Sequence, residues 1–394
     1  MSSPTIYIVG AARTAIGTFG GALKGVPMTQ LAATVVREAL RRSGADPAQV
    51  GHVVMGNVIP SEPRDAYLSR VAAIEAGIPQ EATAFNVNRL CGSGLQAVLL
   101  AAQSLVAGDA DIAVGGGAET MSRGAYLMPQ ARWGARMGDI PVQDYMLGIL
   151  HDPFHKIHMG ITAENVAEQD GITREMQDAL ALLSQKRAAR AIAEGRFTSQ
   201  IVPVEMVSRK GTVVFDTDEH VRGNVTAEQL AKMKPSFKED GTVTAGNASG
   251  LNDGAAALVL ATEATVKARG LKPLARLVSH GHAGVDPLLM GLGPVPATHI
   301  ALKRAGLGVN DLDIIEANVA FAAQACAVTQ RLGLDPAKVN PNGSGISLGH
   351  PVGATGAIIA TKAIYELHRT GGRYALATMC IGGGQGIAAI FERV

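Results

Sequence analysis

The hydrophobic pattern of the first fifty residues predicts a strand followed by an amphipathic helix. β-Branched and aromatic residues fill Ile6–Val9, as is typical of a strand. From Met28 to Gly44 the apolar positions recur with the helical period, Thr29 is a suitable N-cap, and Gly44 is a typical stop. The apolar stripe comprises Leu31, Val35, Val36 and Leu40. The chain therefore opens with the alternation of an α/β protein.

The same alternation continues to about residue 120. Val53–Val58 is a predicted second strand, and Thr83–Asn88 alternates β-forming and small residues. The run Leu95–Leu105 has few polar residues and no proline, which predicts a buried helix. A further strand, Ile112–Val114, runs into the glycines that begin at Gly115.

Residues from about Met121 to Thr244 are more charged and more polar than either flank, and they contain the only tryptophan, Trp133. This change predicts an insertion of helices and loops into the α/β framework. Within it, Ser184–Arg196 is basic and helical, which favours a solvated helix face.

From Leu271 the α/β pattern returns and repeats the features of the first part in the same order. The paired segments are Ala39–Gly44 with Ala301–Gly306, Val53–Val58 with Ile314–Asn318, Cys91–Val98 with His350–Ala357, and Gly115–Gly117 with Gly382–Gly384. We interpret this as a two-copy duplication. Two similar halves packed about a pseudo-twofold axis would bring corresponding helix starts together, and with them Cys91 and His350.

The composition suits a large α/β core and argues against several other classes of protein. Of 394 residues, 47% are hydrophobic but only 4% are aromatic. A net charge of +1 gives no sign of a nucleic-acid or membrane-surface partner. Three cysteines form no disulfide framework, which indicates a reducing cytoplasm. We find neither a signal-peptide pattern nor a run of 18 apolar residues, so we expect no membrane span.

Cys91 lies at the predicted junction between an extended segment and a helix. The positive end of the helix dipole would stabilise a thiolate there and lower the pKa of the thiol from about 8.5 toward or below neutrality. Gly92 and Gly94 allow a sharp turn and the close approach of another group. The position indicates a catalytic nucleophile, and a buried core cysteine is the alternative that the residue alone leaves open.

His350 and Cys380 are the other candidates for chemistry. His350 lies in a glycine-rich loop and, by the repeat, would face Cys91 as its base. Cys380 ends the predicted strand Tyr374–Met379 and precedes three glycines, a typical place for an α/β site whose N–H groups bind an oxyanion. Cys326 lies in an alanine-rich helix, and we interpret it as a core residue.

Three segments together resemble the signatures of the thiolase family. They are Asn88-Arg-Leu-Cys91-Gly-Ser-Gly94, Gly349-His350-Pro-Val-Gly-Ala-Thr-Gly356 and Cys380-Ile-Gly-Gly-Gly-Gln-Gly386. The resemblance covers essentially the whole chain and is nearest to bacterial biosynthetic β-ketothiolases. The stretches His151–Met159 and Ala131–Met137 resemble the broad-range enzymes of polyhydroxyalkanoate synthesis.

The resemblance implies a role for each catalytic candidate. Cys91 would be acylated by an acyl-CoA, His350 would activate it, and Cys380 would exchange a proton with the methyl carbon of acetyl-CoA. Asn318 would hold a water that forms one oxyanion hole with His350. The N–H groups of Cys91 and Gly382 would form the other. The reaction would be a reversible Claisen condensation through an acyl-enzyme, with ping-pong kinetics.

The resemblance also implies a domain plan and a binding site. Residues 1–120 would form the N-terminal half, completed by about 245–270, and residues 271–394 the C-terminal half. Residues 121–244 would be an inserted loop domain that binds coenzyme A. In it, His158 and Met159 would line the pantetheine end and Arg222 would meet the adenine nucleotide, while Ser249 just beyond would contact pantetheine. We expect CoA and acyl-CoA as substrates, no tightly bound cofactor, no metal, and a cytoplasmic homotetramer.

Two other hypotheses compete with this one. Gly92-Ser-Gly94-Leu-Gln-Ala97 fits the dinucleotide-binding pattern G-x-G-x-x-A, which would suggest an NAD-dependent oxidoreductase, although that pattern alone is weak. His151, His155 and His158 could be metal ligands, but their spacing places them only roughly on one helical face, so a pantetheine or surface role is the better interpretation.

One position departs from the family pattern. Where thiolases have Asn-Glu-Ala-Phe, this chain has Asn318-Val-Ala-Phe321, so Val319 replaces a carboxylate. The change suggests a catalytically impaired variant, because donors that the carboxylate would satisfy are left without an acceptor. We therefore expect Val319→Glu to raise kcat.

Overall fold

The computed structural model describes residues 4–208 and 211–394, which form fourteen strands and twelve α-helices. The strands are β1 Ile6–Arg13, β2 Gly17–Thr18, β3 His52–Gly56, β4 Thr83–Val87, β5 Ile112–Thr120, β6 Tyr126–Leu127, β7 Gln143–Asp144, β8 Val204–Ser208, β9 Gly211–Phe215, β10 Asn252–Thr262, β11 Ala275–Gly284, β12 Ile314–Ala317, β13 Tyr374–Ile381 and β14 Gln385–Arg393. The helices are α1 Met28–Ser43, α2 Leu68–Glu75, α3 Ser93–Ala107, α4 Tyr145–Ile149, α5 Met159–Asp170, α6 Arg174–Ala193, α7 Ala227–Ala231, α8 Glu263–Arg269, α9 Pro294–Ala305, α10 Ala322–Leu332, α11 Gly345–Leu348 and α12 Thr355–Thr370.

The predicted helix α1 forms because its apolar stripe packs on the sheet. All four predicted stripe residues are buried. The helix ends where expected, since Gly44 adopts the left-handed conformation (φ 69°) that glycine accepts readily. The predicted cap is wrong, because Pro27 occupies the N-cap position and Thr29 lies inside the helix.

The large sheet confirms the predicted duplication. Within the described residues its strands follow the order β12-β13-β14-β11-β1-β10-β5-β3-β4, and the short β2 pairs with β10. In both halves a parallel pair, β3 with β5 or β12 with β13, is followed by an antiparallel strand, β10 or β14. The halves meet where β1 and β11 pair antiparallel, through Tyr7 and Arg276. The fold is α/β with two similar halves related by a pseudo-twofold axis.

One predicted equivalence between the halves is wrong. Gly115–Gly117 lie within the buried strand β5, whereas Gly382–Gly384 form the turn between β13 and β14. The glycines of β5 are needed for another reason, since a Cβ at Gly115 would lie 2.5 Å from the Cα of Val98 in α3. The match in sequence reflects glycine content rather than position in the repeat.

The long connection between β5 and β10 carries α4 to α7 and two small sheets, β6-β7 and β8-β9. Its helix α5 packs on the C-terminal half through one apolar cluster that also contains Cys380. The cluster includes Met159, Ala163, Val166, Ala320, Phe321 and Ala323. This packing brings the start of α5 to the end of β13. The proposed domain boundaries themselves stay a prediction.

One segment of the described chain, Leu90–Ala107, is long and apolar enough to cross a membrane by length and composition alone. It contains α3, and most of it is buried against the sheet. Its apolar character is that of a core helix.

Candidate active site

One cavity of about 480 Å³ collects most of the predicted site residues. Those that line it are Cys91, His350, Cys380, Gly382, His158, Met159, Arg222 and Ser249. Asn318 does not line it but lies behind His350, with its Nδ2 atom 3.5 Å from both ring nitrogens. Both halves of the fold and the insertion therefore contribute to a single site.

Cys91 and His350 approach because the starts of α3 and α12 touch. A Cβ on Gly94 would lie 2.8 Å from the backbone nitrogen of Ala357, and one on Gly356 would lie 2.2 Å from that of Leu95. Only glycine permits backbones this close. Gly94 and Gly356 thus allow the starts of α3 and α12 to meet, as the internal repeat predicts.

The turn that carries Cys91 is strained immediately before the thiol. Leu90 has φ 47°, which is uncommon for a residue with a branched side chain. The hydroxyl of Ser93 holds the turn, donating to the carbonyl of Leu90 (2.6 Å) and accepting from the N–H of Arg89 (2.8 Å). A strained backbone conformation persists only where surrounding contacts impose it, and such conformations are common at functional sites.

The predicted low pKa of Cys91 is wrong. Burial raises the pKa of the thiol to about 11, and Glu119, in its ionised form, acts in the same direction. The N–H groups of Gly382 and of Cys91 itself lower it, but by less. Desolvation outweighs the helix dipole, so Cys91 is a thiol near neutral pH and needs a base to become a nucleophile.

His350 has the protonation state of such a base. It is buried, and burial lowers its pKa to about 4, so the imidazole is neutral near pH 7. The Thr355 hydroxyl donates to the carbonyl of Pro351 (2.9 Å), so its oxygen accepts the Nδ1–H of His350 (2.7 Å). This network leaves the lone pair on Nε2 available for a proton.

Cys380 is the more deeply buried of the two thiols in the cavity. Burial raises its pKa far above the ordinary range, and the nearby Cys91 adds to the effect. It lies at the end of β13, one residue before Ile381, and precedes the turn that presents the Gly382 N–H. The third thiol, Cys326, lies half-buried in α10 outside the cavity.

Val319 lies in an apolar environment next to Asn318. It is buried among Ala181, Leu230, Ala322, Ala325 and Ile346. It also lies beside the start of α11, where Gly345 and Ile346 have N–H groups without an acceptor inside the helix. The surroundings therefore combine apolar neighbours with two backbone donors.

The predicted pantetheine wall contains an aromatic residue that the sequence did not reveal. His158 caps α5 by accepting the N–H of Gly160 at Nδ1 (3.0 Å), so its neutral ring carries the proton on Nε2. Its ring stacks on Phe237, with 4.6 Å between centroids. The adjacent Met159 lies against Gly382, where a Cβ would be 3.1 Å from the methionine Cε.

Arg222 lies at the mouth of the cavity, because it lines the cavity while its side chain is exposed. Its N–H donates to Gln185 Oε1 (2.7 Å). Ser249 is deeper, where its N–H donates to the carbonyl of Ala320 (2.8 Å) close to Asn318. The insertion therefore places an exposed cation at the mouth, and Ser249 lies beside the segment that carries Asn318.

Glu119 is a buried carboxyl group that sequence reasoning missed. Its carboxylate accepts four N–H groups, from the Asn57 side chain (2.8 Å) and from the backbones of Val58 (3.1 Å), Ile59 (3.0 Å) and Gly353 (2.8 Å). Burial raises its pKa to about 8. It connects the wall of the cavity at Val58 with the loop of His350. No motif or spacing marks it in the sequence.

The arrangement suits acyl transfer to and from a thioester. A thiol, a neutral imidazole and backbone N–H donors at the thiol are the parts needed to form and stabilise a covalent acyl intermediate. A second thiol supplies an independent proton donor. Among the described residues, no cluster of His, Cys, Asp or Glu is arranged to hold a metal ion.

Comparison with known proteins identifies the family. The domain described as "Thiolase, N-terminal domain" matches residues 6–264, and "Thiolase, C-terminal domain" matches residues 271–393. The chain is 66% identical to "Beta-ketothiolase BktB" of Cupriavidus necator over 390 residues, which cover 99% of each chain. It is 49% identical to "Acetyl-CoA acetyltransferase" of Shinella zoogloeoides over 393 residues, covering 100% of each.

Solved structures agree. A crystal structure of human mitochondrial 3-ketoacyl-CoA thiolase in complex with CoA superposes with a TM-score of 0.96 at 43% identity, covering 99% of this chain and 98% of that one. The Bacillus anthracis acetyl-CoA acetyltransferase gives a TM-score of 0.97 at 47% identity, covering 100% of both chains.

The protein is an acyltransferase built on the thiolase fold. It belongs to the thiolase family, as the three sequence signatures predicted. The alternative of an NAD-dependent oxidoreductase is wrong, and the G-x-G-x-x-A match reflects the close approach of α3 and α12 instead.

Proposed function

We propose that this protein is a β-ketothiolase that cleaves β-ketoacyl-CoA with CoA and, in reverse, condenses acetyl-CoA with acetyl-CoA or propionyl-CoA. The observation that carries the proposal is the convergence of Cys91, His350 and Cys380 on one cavity. An apolar group formed by Val58, Met121 and Val352 packs against Cys91, which supports acceptance of a short alkyl chain.

In thiolysis, Nε2 of His350 takes the proton of Cys91, and the thiolate attacks the keto carbon of the substrate. The bond between Cα and that carbon breaks, leaving an acyl group on Cys91 and an enolate of acetyl-CoA. The Cys380 thiol protonates the enolate carbon, and acetyl-CoA departs. The raised pKa values of Cys91 and Cys380 support a starting state in which both thiols are protonated near neutral pH.

In the second half, CoA enters as a thiol and gives its proton to the Cys380 thiolate. The CoA sulfur attacks the acyl carbon, and the bond to Cys91 breaks. Cys91 then recovers its proton from the His350 imidazolium, so that every group returns to its initial state. Condensation is the same sequence in reverse.

Both half-reactions pass through oxyanions that need preorganised donors. We assign the N–H groups of Cys91 and Gly382 to the acyl-enzyme step, which is supported by their stabilising effect on the thiolate. We assign His350 and a water held by Asn318 to the thioester enolate. Close contact between Asn318 and the His350 ring supports that pairing.

We assign CoA binding to the wall contributed by the insertion. The Nε2–H of His158 can donate to a pantetheine carbonyl, Met159 and Ser249 would flank the same arm, and Arg222 would meet the nucleotide. Exposure of Arg222 at the mouth supports its place at the charged end of CoA.

Acetylation of a single cysteine tests the proposal. Incubation with acetyl-CoA should add one acetyl group per chain, and peptide mapping should find it on Cys91. Cys91→Ala should abolish both the label and turnover. Labelling elsewhere in active enzyme, or turnover by Cys91→Ala, would contradict the assignment.

Arg222→Ala is expected to raise KM for CoA about tenfold while kcat falls less than twofold. Arg222 would bind the substrate far from the reacting atoms, so its contribution is the same in the ground state and the transition state. Lys232→Ala, which alters an exposed cation of the same insertion outside the cavity, is the matched control. An unchanged KM for every CoA thioester would rule out the assignment.

Val319→Glu is expected to raise kcat for thiolysis about tenfold with KM for CoA unchanged, because the new carboxylate can accept the N–H groups at the start of α11 and steady Asn318. Val319→Gln should recover part of the gain, and Val319→Leu none. The opposite outcome is expected if the apolar neighbours of Val319 leave the new carboxylate buried without a partner. A glutamate variant that is slower and melts at a lower temperature would refute the expectation.

We further propose a cytoplasmic homotetramer with a role in polyhydroxyalkanoate synthesis. The exposed apolar side chains between β6 and β7 support self-association, because such residues are rarely clustered on a monomer. They include Met128 (47% exposed), Trp133 (87%), Met137 (95%) and Val142 (55%). Light scattering after gel filtration measures the assembly directly.

A further inference from the structure

His350 is held by contacts to its backbone as well as by the hydrogen bond from its ring to Thr355. Gly349, immediately before it, has φ 107°, and a Cβ there would lie 2.4–2.7 Å from three side-chain atoms of Asn252. The Asn252 amide therefore packs directly against Gly349. Asn252 is fully buried at the start of β10.

The polar atoms of Asn252 are all engaged. Its Oδ1 accepts the N–H of His350 (2.9 Å), and its Nδ2 donates to the carbonyl of Gly17 (3.0 Å) and contacts Nδ1 of His220 (3.4 Å). These partners fix the orientation of the amide, because a flipped amide would direct its NH₂ group at the His350 N–H. His220 also lines the cavity, beside Arg222.

We infer that Asn252 is a positioning residue for the base of the reaction. It holds the backbone of His350, whose ring lines the same cavity as Cys91, and it acts through His350 without touching the substrate. The inference rests on the proposed role of His350. A displacement of about 1 Å at a catalytic group can cost about a hundredfold in rate, so a backbone contact of this kind can have a large effect.

Asn252→Ala in the full-length enzyme is expected to lower kcat ten- to a hundredfold, with KM for CoA changed less than threefold. The rate of Cys91 acetylation, followed by rapid quench with acetyl-CoA, should fall by the same factor. Asn165→Ala is the matched control, because Asn165 is a half-buried asparagine whose side chain donates to the Leu288 carbonyl (3.1 Å), and it should retain parental rates.

A double variant separates positioning from a general structural role. If Asn252 acts through His350, then Asn252→Ala with His350→Ala should be no slower than His350→Ala alone. A further tenfold loss in the double variant, or a parental kcat for Asn252→Ala, would overturn the inference. Parental activity of His350→Ala would instead overturn the proposed role of His350, so the two failures can be told apart.

Asn252→Asp provides a second test should the alanine variant not fold. It keeps the acceptor for the His350 N–H but places a negative charge against the backbone of His350 and in contact with the ring of His220. A negative charge this near favours the imidazolium form of His350, so the acidic limb of the kcat profile should move to higher pH. A parental kcat with an unmoved limb would overturn the inference.

Discussion

Cys380→Ser is expected to lower thiolysis and condensation a hundred- to ten-thousandfold while Cys91 is still acetylated by acetyl-CoA. This is the range that general acid–base catalysis supplies. A serine hydroxyl fits the space but is a much weaker acid than a thiol, so it cannot protonate the enolate carbon. Acetylation survives because the departing CoA thiolate can take its proton from water.

Three measurements define the result. Steady-state thiolysis should be lost, the mass increase of one acetyl group should persist, and hydrogen exchange at the methyl group of acetyl-CoA in deuterated water should stop. Cys326→Ser makes the same substitution at a half-buried thiol outside the cavity and should keep all three activities. A Cys380→Ser variant that turns over within threefold of the parent would refute the acid–base role.

The sequence predicted the elements of the fold well where one face of the element is apolar. The predicted helix at Met28–Gly44 differs from α1 by one residue, and the predicted extended segment Thr83–Asn88 contains strand β4, which ends at Val87. The predicted helix Leu95–Leu105 extends by two residues at each end as α3. Periodicity and glycine stops are local properties, so they can be recognised without tertiary contacts.

The meeting of Cys91 and His350 was predictable because the chain is duplicated, and symmetry relates residues far apart in sequence. The pKa of Cys91 was not, because the dipole that lowers it is local whereas the burial that raises it depends on neighbouring segments. The stacking of His158 on Phe237 and the contact of Asn252 with His350 also join distant segments. No spacing in the sequence encodes such contacts.

The ion pair between Arg13 and Asp218 is another long-range contact without a sequence signal. Both side chains are fully buried, and the guanidinium donates to both carboxylate oxygens, at 2.8 and 3.0 Å. Gln200 accepts a further N–H from Arg13 (2.8 Å), and Asp218 also accepts the N–H of Ile16 (2.9 Å). The pair fastens the insertion to the end of β1.

The segment fastened by this pair leads directly into the cavity. Asp218 and Glu219 bind the chain around β2, and the next residues include His220 and Arg222, which line the cavity. The ion pair should therefore stabilise the fold and hold the outer wall of the proposed CoA site in place.

Asp218→Asn is expected to lower the free energy of unfolding by about 3–5 kcal/mol, because it leaves the Arg13 guanidinium buried without a counter-charge. Replacing both members, in Arg13→Met with Asp218→Leu, should cost much less, since apolar residues of similar volume often substitute for a buried pair. Glu263→Gln, which breaks the exposed pair with Lys267, is the surface control and should have only a small effect.

Urea unfolding measures the stability of all three variants. KM for CoA should also rise in Asp218→Asn, because the segment that Asp218 anchors carries Arg222. The expectation is contradicted if Asp218→Asn unfolds at the parental urea concentration, or if the double variant is less stable than the single one. Either result would show that stability does not depend on Asp218 neutralising the buried Arg13 guanidinium.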